Sequence, residues 1–335
     1  MPRVSIVGTT TWGTTLAIHH ARNNVPTTLL AQTPEEAQRL LIARENSRFL
    51  PNVPFPQQLN VTHDREKAFR GAVLIVLAVP SRRFRENLLW IRDSIDNSPI
   101  ILSATKGLEE TTSKRMSQLI SDELPERLTS RLCVLSGPNL AMEVIAQKPV
   151  SSVIASVDGE AAKAVQNIIM SPTFRVYTND DVVGTELGGA LKNVIALSCG
   201  ISDGLGYGDN AKSALITRGL AEITRLGIAA GANPLTFVGL AGLGDLVATC
   251  SSPLSRNRYV GEQLSKGRPL NEILAPMKTI AEGVYTTKAA LKMAKKLDVD
   301  MPITKATFRV LLEDLDVNQA IGELLGRPPK AEYPT

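Results

Sequence analysis

Cysteine is scarce in this chain. The 335 residues include only Cys133, Cys199 and Cys250, which lie far apart and do not have the spacing of metal ligands. Their odd number gives no disulfide framework either. The sequence therefore predicts no metal site, and its unpaired thiols fit the reducing environment of the cytoplasm.

A strong charge imbalance is also missing. The formal net charge is +4, from 37 Lys and Arg against 33 Asp and Glu. The densest basic run contains Arg82, Arg83 and Arg85. We interpret this run as a solvated loop followed by a helix start, and we expect no nucleic-acid partner.

Long hydrophobic runs are absent as well. The longest covers residues 72–79, which is the length of a strand, whereas a membrane-spanning helix needs about 20 apolar residues. The N-terminal sequence MPRVSIVG leads directly into a strand pattern and lacks the features of a signal peptide. We therefore expect a cytoplasmic protein without a membrane span.

The composition that remains is that of a globular protein, with 43% hydrophobic and 21% charged residues. A chain of this length favours two domains. Apolar runs typical of strands occur at residues 4–7, 27–31, 73–79, 100–103, 132–136 and 153–155, with a helical pattern at 14–23. These runs do not alternate with polar residues, so we expect a parallel sheet covered by helices on both faces.

The second half of the chain has a different character. Helical patterns occupy residues 184–201, 211–231, 255–266, 286–297 and 303–312, and the proline-rich tail after Gly326 is expected to be irregular. The fold class predicted is α/β. A doubly wound nucleotide-binding domain at residues 1–180 precedes a mainly helical domain at residues 181–335.

The first motif is VSIVGTTTWGTTLA, which resembles a dinucleotide-binding fingerprint. Gly8 and Gly13 hold the first and third glycine positions, but Thr10 holds the middle one. A β-branched side chain there either limits the approach of a pyrophosphate or offers its hydroxyl to it. An ordinary strand–turn–helix is the alternative, although helix-terminal amides after Gly13 favour an anion.

The end of the second strand usually distinguishes NAD from NADP, through an acidic residue or an arginine. Here the chain reads Leu30-Ala31-Gln32-Thr33. Gln32 can hydrogen-bond a ribose diol without repelling a phosphate, so the cofactor preference stays open.

Two further candidate positions follow later strands. Lys106 comes just after a strand, where the carboxyl ends of strands face a ligand crevice. It is either a group that polarises a carbonyl or a solvated loop lysine. Gly137 has a similar placement, and its segment is either an approach to a ligand or a simple turn.

Lys192 lies in a helical pattern whose neighbours three and four residues away are uncharged and mostly apolar. Such a lysine is buried, points into a cleft, or reaches the surface along its own stem. Asp245 has an apolar setting too, which is costly without a partner, and a lysine is a natural one. Desolvation would bring the lysine pKa toward neutrality, as proton transfer requires.

Ser255, Arg256 and Asn257 open a polar helix. Ser255 fits an N-cap, and a helix start that carries an arginine suits a phosphate. A solvated helix face is the alternative for Arg256.

Together these motifs resemble the bacterial-type NAD(P)-dependent glycerol-3-phosphate dehydrogenase family over nearly the whole chain. The strongest part runs from GTELGGALKNVIALSCGISDGLGYGDNAKSALITRGLAEITRLG through GLAGLGDLVATC and SRNR. TWGTTLA, RFLPN, VPS, ATKG, SGP, AEGVYTT and MPIT add to it. The resemblance implies a Rossmann-like N-terminal domain, a homodimer, and an enzyme that interconverts dihydroxyacetone phosphate and glycerol 3-phosphate for glycerophospholipid synthesis.

The resemblance also implies residue roles. Lys192 is the proton donor to the carbonyl oxygen, Asp245 orients and charges it, and Lys106 contacts both the substrate oxygen and the cofactor. The substrate positions are completed by Gly137, Asn139, Ser255, Arg256 and Asn257. The cofactor, NAD or NADP, is assigned to Gly8, Thr10, Thr11, Trp12, Gly13, Gln32, Lys106, Ala141, Arg256, Ile280 and Glu282.

The sequence departs from the family mainly on the cofactor side. Thr10 replaces a glycine, Thr11 a serine, and Gln32 and Thr33 replace an arginine near the adenosine ribose; Asn139 and Met142 depart in the SGP region. Two rival hypotheses therefore stay open: a related dehydrogenase for another small anionic carbonyl compound, and a non-catalytic homologue with weakened cofactor binding.

Overall fold

The computed structural model describes residues 2–95, 99–277, 279–329 and 331–332. The strands within these residues are β1 (Val4–Val7), β2 (Thr27–Leu30), β3 (Glu45–Asn46), β4 (Leu50–Pro54), β5 (Leu59–Thr62), β6 (Leu74–Leu77), β7 (Ile100–Ser103), β8 (Cys133–Ser136), β9 (Val150–Ala155) and β10 (Phe174–Asn179). β3 and β4 form a small antiparallel hairpin, and the other eight strands form one sheet in the order β10-β9-β8-β7-β6-β1-β2-β5.

Helices cover this sheet and continue beyond it. Those between the strands are α1 (Thr11–Arg22), α2 (Pro34–Ala43), α3 (Arg65–Phe69), α4 (Phe84–Ile91), α5 (Met116–Glu123), α6 (Glu126–Thr129), α7 (Ala141–Ile145) and α8 (Gly159–Ile169). Those after the sheet are α9 (Val182–Gly204), α10 (Gly208–Ala229), α11 (Pro234–Phe237), α12 (Asp245–Ser251), α13 (Arg256–Ser265), α14 (Leu270–Leu274), α15 (Glu282–Lys296), α16 (Pro302–Leu312) and α17 (Val317–Leu325).

The central strands are buried on both faces, as their continuous apolar runs predicted. Every residue of β1, β6, β7 and β8 is buried. Ile6 belongs to a core on one face with Leu16 of α1, and Ile75 belongs to a core on the other face with Leu88 of α4. The predicted doubly wound α/β architecture is therefore confirmed.

One pair of neighbouring strands in the large sheet is antiparallel, which the sequence analysis did not foresee. β8 pairs antiparallel with β9, whereas β9 and β10 are parallel to each other. A parallel crossover usually takes a full helix that passes over the sheet. Between β8 and β9 the only helix is α7, with five residues, and the chain turns back beside β8 instead.

Two strands of the large sheet, β5 and β10, were missed by the sequence analysis. Both lie at the outer edges of the sheet. In β10, Phe174 and Val176 are buried while Arg175 and Tyr177 are exposed. An edge strand with one solvated face has no continuous apolar run, which is the signal that identified the central strands.

The C-terminal half is built around α9, of which 19 consecutive residues, 184–202, are buried. Helices α10, α12, α13 and α15 pack around it. Close packing needs glycine at two points: a Cβ atom on Gly200 or on Gly261 would lie 2.0 Å from a carbonyl oxygen of the facing helix. The predicted helical character of this half is confirmed.

One stretch, Pro234–Ser251, is apolar and long enough to cross a membrane by length and composition, with a mean hydropathy of 1.3. It is divided among α11, a π-helical turn (Leu240–Gly244) and α12. Buried helices of globular proteins pass the same test, and 44% of this stretch is buried. It is therefore weak evidence for a membrane span.

Candidate active site

Three charged side chains meet where the loop after β7 faces the helical half. Asp245, the first residue of α12, accepts a hydrogen bond from Lys192 of α9 through Oδ1. Its other oxygen, Oδ2, accepts one from Lys106 at 2.6 Å. The Asp245 side chain is only 1% exposed, and those of Lys192 and Lys106 are 9% and 17% exposed. One buried carboxylate thus joins the two lysines that the sequence analysis singled out.

Burial controls the charge state of Lys192. Desolvation lowers its pKa to about 8, the Asp245 carboxylate opposes this shift, and the Lys106 ammonium adds to it. Lys192 Nζ also donates to Thr249 Oγ1 at 2.7 Å. An ammonium has three N–H donors, so within the described residues one donor remains for a ligand.

Thr249 is a site residue that the sequence analysis missed. Its hydroxyl donates to the backbone oxygen of Asp245 at 2.6 Å, one turn earlier on α12, while its oxygen accepts from Lys192. The spacing of four residues from Asp245 was the available signal, since such residues share a helix face.

Small residues on α9 let the loops come close to Lys192. A Cβ atom on Gly188 would lie 2.4 Å from the carbonyl oxygen of Ala241, in the π-helical turn before Asp245. One on Gly189 would lie 2.5 Å from Ser136 Oγ at the end of β8, and 3.5 Å from the Lys106 stem. The glycine pair therefore brings the elements that carry the charged cluster together.

The turn after β8 completes this part of the site. The Gly137 backbone oxygen accepts a hydrogen bond from Lys106 Nζ at 2.8 Å. Asn139 accepts from Ser152 through Oδ1 at 2.6 Å, whereas its buried Nδ2 has no partner within the described residues. An unpaired buried donor is costly, and it marks a place where a ligand oxygen would be stabilised.

The β1–α1 turn has the geometry of a phosphate-binding loop. Gly8 has a φ of +112°, and a Cβ atom on Gly13 would lie 2.0 Å from the Gly8 carbonyl oxygen. The backbone N–H groups of Thr11 and Trp12, which open α1, have no acceptor among the described residues. The buried Thr11 hydroxyl has no partner there either. These orphan donors fit the pyrophosphate of a dinucleotide.

The Thr10 hydroxyl is used within the protein. It donates to the Ala78 backbone oxygen at 2.7 Å and accepts from the Gly13 N–H at 3.0 Å. Thr10 is thus the N-cap of α1, which begins three residues earlier than the pattern at 14–23 predicted. In this arrangement the hydroxyl proton points to Ala78 and not to a phosphate.

Gln32 lies just beyond β2 in a side-chain network. Its Oε1 accepts from Arg83 Nη1 at 3.1 Å, and its Nε2 donates to Asn87 Oδ1 at 3.2 Å. The Gln32 backbone N–H donates to Glu36 at 3.1 Å. The end of β2 therefore has both an arginine and a carboxylate nearby, although neither is at position 32.

The start of α13 carries the three predicted anion-binding residues. Ser255 is its N-cap and accepts from the Arg258 N–H at 3.3 Å. Buried Asn257 links α13 to α9 and α15, through Asn193 at 2.8 Å and the Gly283 N–H at 2.9 Å. Arg256 is exposed and has no hydrogen bond or ion pair with the described residues, which leaves its guanidinium open to a ligand.

A second carboxylate lies between the two halves of the chain. Glu282, the first residue of α15, accepts the backbone N–H of Ser81 at 3.1 Å and also the Ser81 hydroxyl. Desolvation raises its pKa, whereas Ser81 and the Arg256 charge lower it. Ser81, just after β6, was another residue missed. Ala141 opens α7, and Ile280 lies two residues before Glu282; both are half-buried.

No metal centre accompanies these groups in the part of the chain that is described, where no three His, Cys, Asp or Glu residues are grouped to hold an ion. The three cysteines are buried and form no disulfide.

Comparison with known proteins gives the family. The profile described as NAD-dependent glycerol-3-phosphate dehydrogenase N-terminus matches residues 3–162, and the corresponding C-terminus profile matches residues 181–322. A glycerol-3-phosphate dehydrogenase [NAD(P)+] of Dehalococcoides mccartyi is 49% identical over 97% of this chain and 91% of its own length. One from Corynebacterium glutamicum is 48% identical over 99% of this chain and 100% of its own.

A solved structure supports the same family assignment. A glycerol-3-phosphate dehydrogenase crystal structure from Coxiella burnetii superposes with a TM-score of 0.92 at 38% identity, over 97% of this chain and 99% of that one. The sequence matches cover both halves and the structural match covers nearly the whole fold. This chain belongs to the NAD-dependent glycerol-3-phosphate dehydrogenase family.

Proposed function

We propose that this protein is an NAD(P)-dependent glycerol-3-phosphate dehydrogenase, which transfers a hydride reversibly between NAD(P)H and dihydroxyacetone phosphate. Its family membership supports this activity. The structural observation that carries the proposal is the buried cluster of Lys192, Asp245 and Lys106 beside the nucleotide-binding edge of the sheet.

The cofactor fits the β1–α1 turn. We assign its pyrophosphate to the free amides of Thr11 and Trp12, with Gly8 and Gly13 allowing the close turn and Thr10 capping the helix. The adenosine end lies toward Gln32. The remaining cofactor positions are Lys106, Ala141, Arg256, Ile280 and Glu282. When bound, the nicotinamide supplies the hydride, so the protein needs only to orient the reactants and move a proton.

Lys192 is the proton donor in reduction and the acceptor in oxidation. A pKa of about 8 lets both forms be populated near neutral pH. Asp245 and Thr249 hold two of its donors, and the third is directed to the substrate oxygen. Since Asp245 favours the ammonium form, it also keeps Lys192 charged enough to donate.

Lys106 gives the developing alkoxide a second positive contact. It is held between Asp245 and the Gly137 oxygen, at 2.6 and 2.8 Å, and it is the more exposed of the two lysines. A fixed cation at the place where charge develops stabilises the transition state without reorganisation.

The substrate phosphate is assigned to the start of α13. Arg256 offers free donors, Ser255 contributes its hydroxyl proton, and the helix N-terminus favours an anion. Asn139 offers an unpaired amide to a substrate hydroxyl. Asn257 contributes by fixing α13 against α9 and α15.

We further propose that residues 1–180 form the cofactor-binding domain and residues 181–335 the substrate and catalytic domain. The last strand ends at Asn179 and α9 begins at Val182, which supports this division. Proteolysis at the junction, followed by cofactor titration of the N-terminal fragment, tests it.

A homodimer in the cytoplasm, supplying glycerol 3-phosphate for phospholipid synthesis, completes the proposal. Large exposed apolar side chains occur in the helical half, with Leu235 73%, Val238 63% and Leu254 53% exposed. Such side chains favour an interface between copies. Light scattering of the wild type and of Leu235→Glu tests the dimer.

The activity is tested by following the oxidation of NADH and of NADPH with dihydroxyacetone phosphate. Unphosphorylated dihydroxyacetone and small keto acids are the comparison substrates. We expect turnover with the phosphorylated ketone and far less with the others. Efficient use of a keto acid would point to a related dehydrogenase, and cofactor binding without any turnover would point to a non-catalytic homologue.

A further inference from the structure

The end of β2 holds an arginine that comes from a distant part of the sequence. Arg83 lies between β6 and α4, 51 residues from Gln32, and its Nη1 donates to Gln32 Oε1. In doubly wound nucleotide-binding domains the adenosine ribose lies at the end of the second strand. Arg83 therefore occupies the region where NAD and NADP differ.

Three hydrogen bonds fix this arrangement in a closed ring. Arg83 Nη1 donates to Gln32 Oε1 at 3.1 Å, Gln32 Nε2 donates to Asn87 Oδ1 at 3.2 Å, and Asn87 Nδ2 returns to the Arg83 backbone oxygen at 2.7 Å. Asn87 is buried. The ring orients the Gln32 amide and holds the guanidinium beside it.

Arg83 keeps donors available for a ligand. Its Nε and Nη2 pair with the two Glu86 oxygens, at 3.0 and 2.7 Å. A guanidinium has five N–H donors, so two remain beyond the contacts made with described residues. The side chain is 49% exposed, and a phosphate can reach it from solvent.

A carboxylate accepts a hydrogen bond from the backbone of Gln32. Glu36 accepts from the Thr9 hydroxyl at 2.7 Å and from the Gln32 N–H at 3.1 Å, and it is 20% exposed. A carboxylate at the end of β2 suits a ribose diol and repels a phosphate. A 2′-phosphate therefore needs a nearby cation, and among the described residues Arg83 is the cation that is hydrogen-bonded to the Gln32 side chain.

We propose that Arg83 recognises the 2′-phosphate of NADP(H) and is the residue that allows this protein to bind the phosphorylated cofactor as well as NAD(H). The inference rests on the proposed function, since it takes the adenosine end of the cofactor to lie at β2. The residue that distinguishes the two cofactors then comes from the segment after β6 and not from position 32.

Calorimetric titration without substrate tests this inference, with NADPH and NADH as probes and 2′,5′-ADP and 5′-AMP as their fragments. Arg83→Ala is expected to weaken NADPH and 2′,5′-ADP binding by roughly 10- to 100-fold, the range for a charge-assisted contact. NADH and 5′-AMP should change by less than about 2-fold, since these ligands lack the 2′-phosphate that Arg83 is proposed to contact. Unchanged NADH binding also shows that the variant is folded.

Two further arginines are the controls. Arg92→Ala removes a half-exposed cation just after α4, and it should leave both cofactors unaffected. Arg39→Ala removes the cation 4.0 Å from Glu36. If Arg39→Ala carries the selective loss, or if Arg83→Ala weakens both cofactors equally or neither, the inference is wrong.

The same titration separates this inference from the proposed function. A wild-type protein that binds neither cofactor contradicts the proposed function itself. A wild-type protein that binds NADH but not NADPH leaves the dehydrogenase proposal standing and overturns the role of Arg83.

Discussion

Lys192 and Asp245 form an ion pair that is almost closed off from water, with side chains 9% and 1% exposed. Two opposed effects set the charge state of Lys192. Desolvation disfavours the ammonium and the carboxylate favours it, with a resulting lysine pKa of about 8. The pair is therefore suited to proton transfer and also sensitive to the loss of either partner.

Replacing Lys192 should abolish chemistry while leaving the cofactor site intact. Lys192→Met keeps much of the side-chain volume but removes the ammonium group that would donate the proton. We expect kcat to fall by about 10²- to 10⁴-fold. NADH affinity should change little, because the β1–α1 turn that is assigned to the pyrophosphate does not include Lys192. Steady-state kinetics and cofactor titration measure the two quantities. Lys163→Ala, an exposed lysine of α8, is the control, and a Lys192→Met kcat within a few-fold of wild type would reject the role.

Asp245→Asn tests the effect of the Asp245 charge on Lys192. Without its charge the pKa of Lys192 should fall below about 8, and kcat for reduction at neutral pH should fall with it. The variant should also be less stable at pH 7, because the buried Lys192 ammonium loses its carboxylate partner. The stability difference from wild type should shrink above about pH 8, where Lys192 becomes neutral. Chemical denaturation at pH 7 and pH 9.5 measures it. A difference that grows with pH would be inconsistent with this pairing.

Arg256→Ala tests the phosphate assignment. We expect KM for dihydroxyacetone phosphate to rise by roughly 10- to 100-fold, since a charge-assisted contact is lost. The effect on unphosphorylated dihydroxyacetone should be much smaller. Because the Arg256 charge also lowers the pKa of buried Glu282, thermal unfolding of the variant should be measured beside the kinetics to show that it is folded. Lys266→Ala, just beyond the other end of α13, is the control. Equal losses with both substrates would refute the assignment.

Thr10 gives a stability prediction. Thr10→Val keeps the shape of the side chain but removes the hydroxyl that caps α1 and binds Ala78. We expect the free energy of unfolding to fall by about 1–2 kcal/mol. Thr10→Ser retains both hydrogen bonds and should stay within about 0.5 kcal/mol of wild type. If the two variants are equally stable, the cap has no energetic role.

Much of this structure could be predicted from local sequence patterns. The continuous apolar runs identified the central strands because burial on both faces requires them. The uncharged neighbours of Lys192 made burial one of three alternatives, beside a cleft and a stem that reaches the surface, and the apolar setting of Asp245 suggested a lysine partner. Both predictions depend only on residues within a turn or two of the position concerned.

Contacts between distant segments could not be predicted in this way. Ser81 and Glu282 are 201 residues apart, and Gln32 and Arg83 are 51 apart. Which loops meet at the edge of a sheet depends on strand order and helix packing, and neither is encoded in a local pattern. The cofactor preference therefore could not be decided at position 32, although Arg83 and Glu36 both lie against it.

The most direct test of the account is the pH dependence of kcat/KM in both reaction directions, from pH 7 to 9.5. If Lys192 transfers the proton, reduction of dihydroxyacetone phosphate should decline above about pH 8, because the ammonium is lost. Oxidation of glycerol 3-phosphate should rise through the same pH and level off, because the free amine accepts the proton. Profiles that are flat, or that change in the same direction for both reactions, would contradict the central role of Lys192.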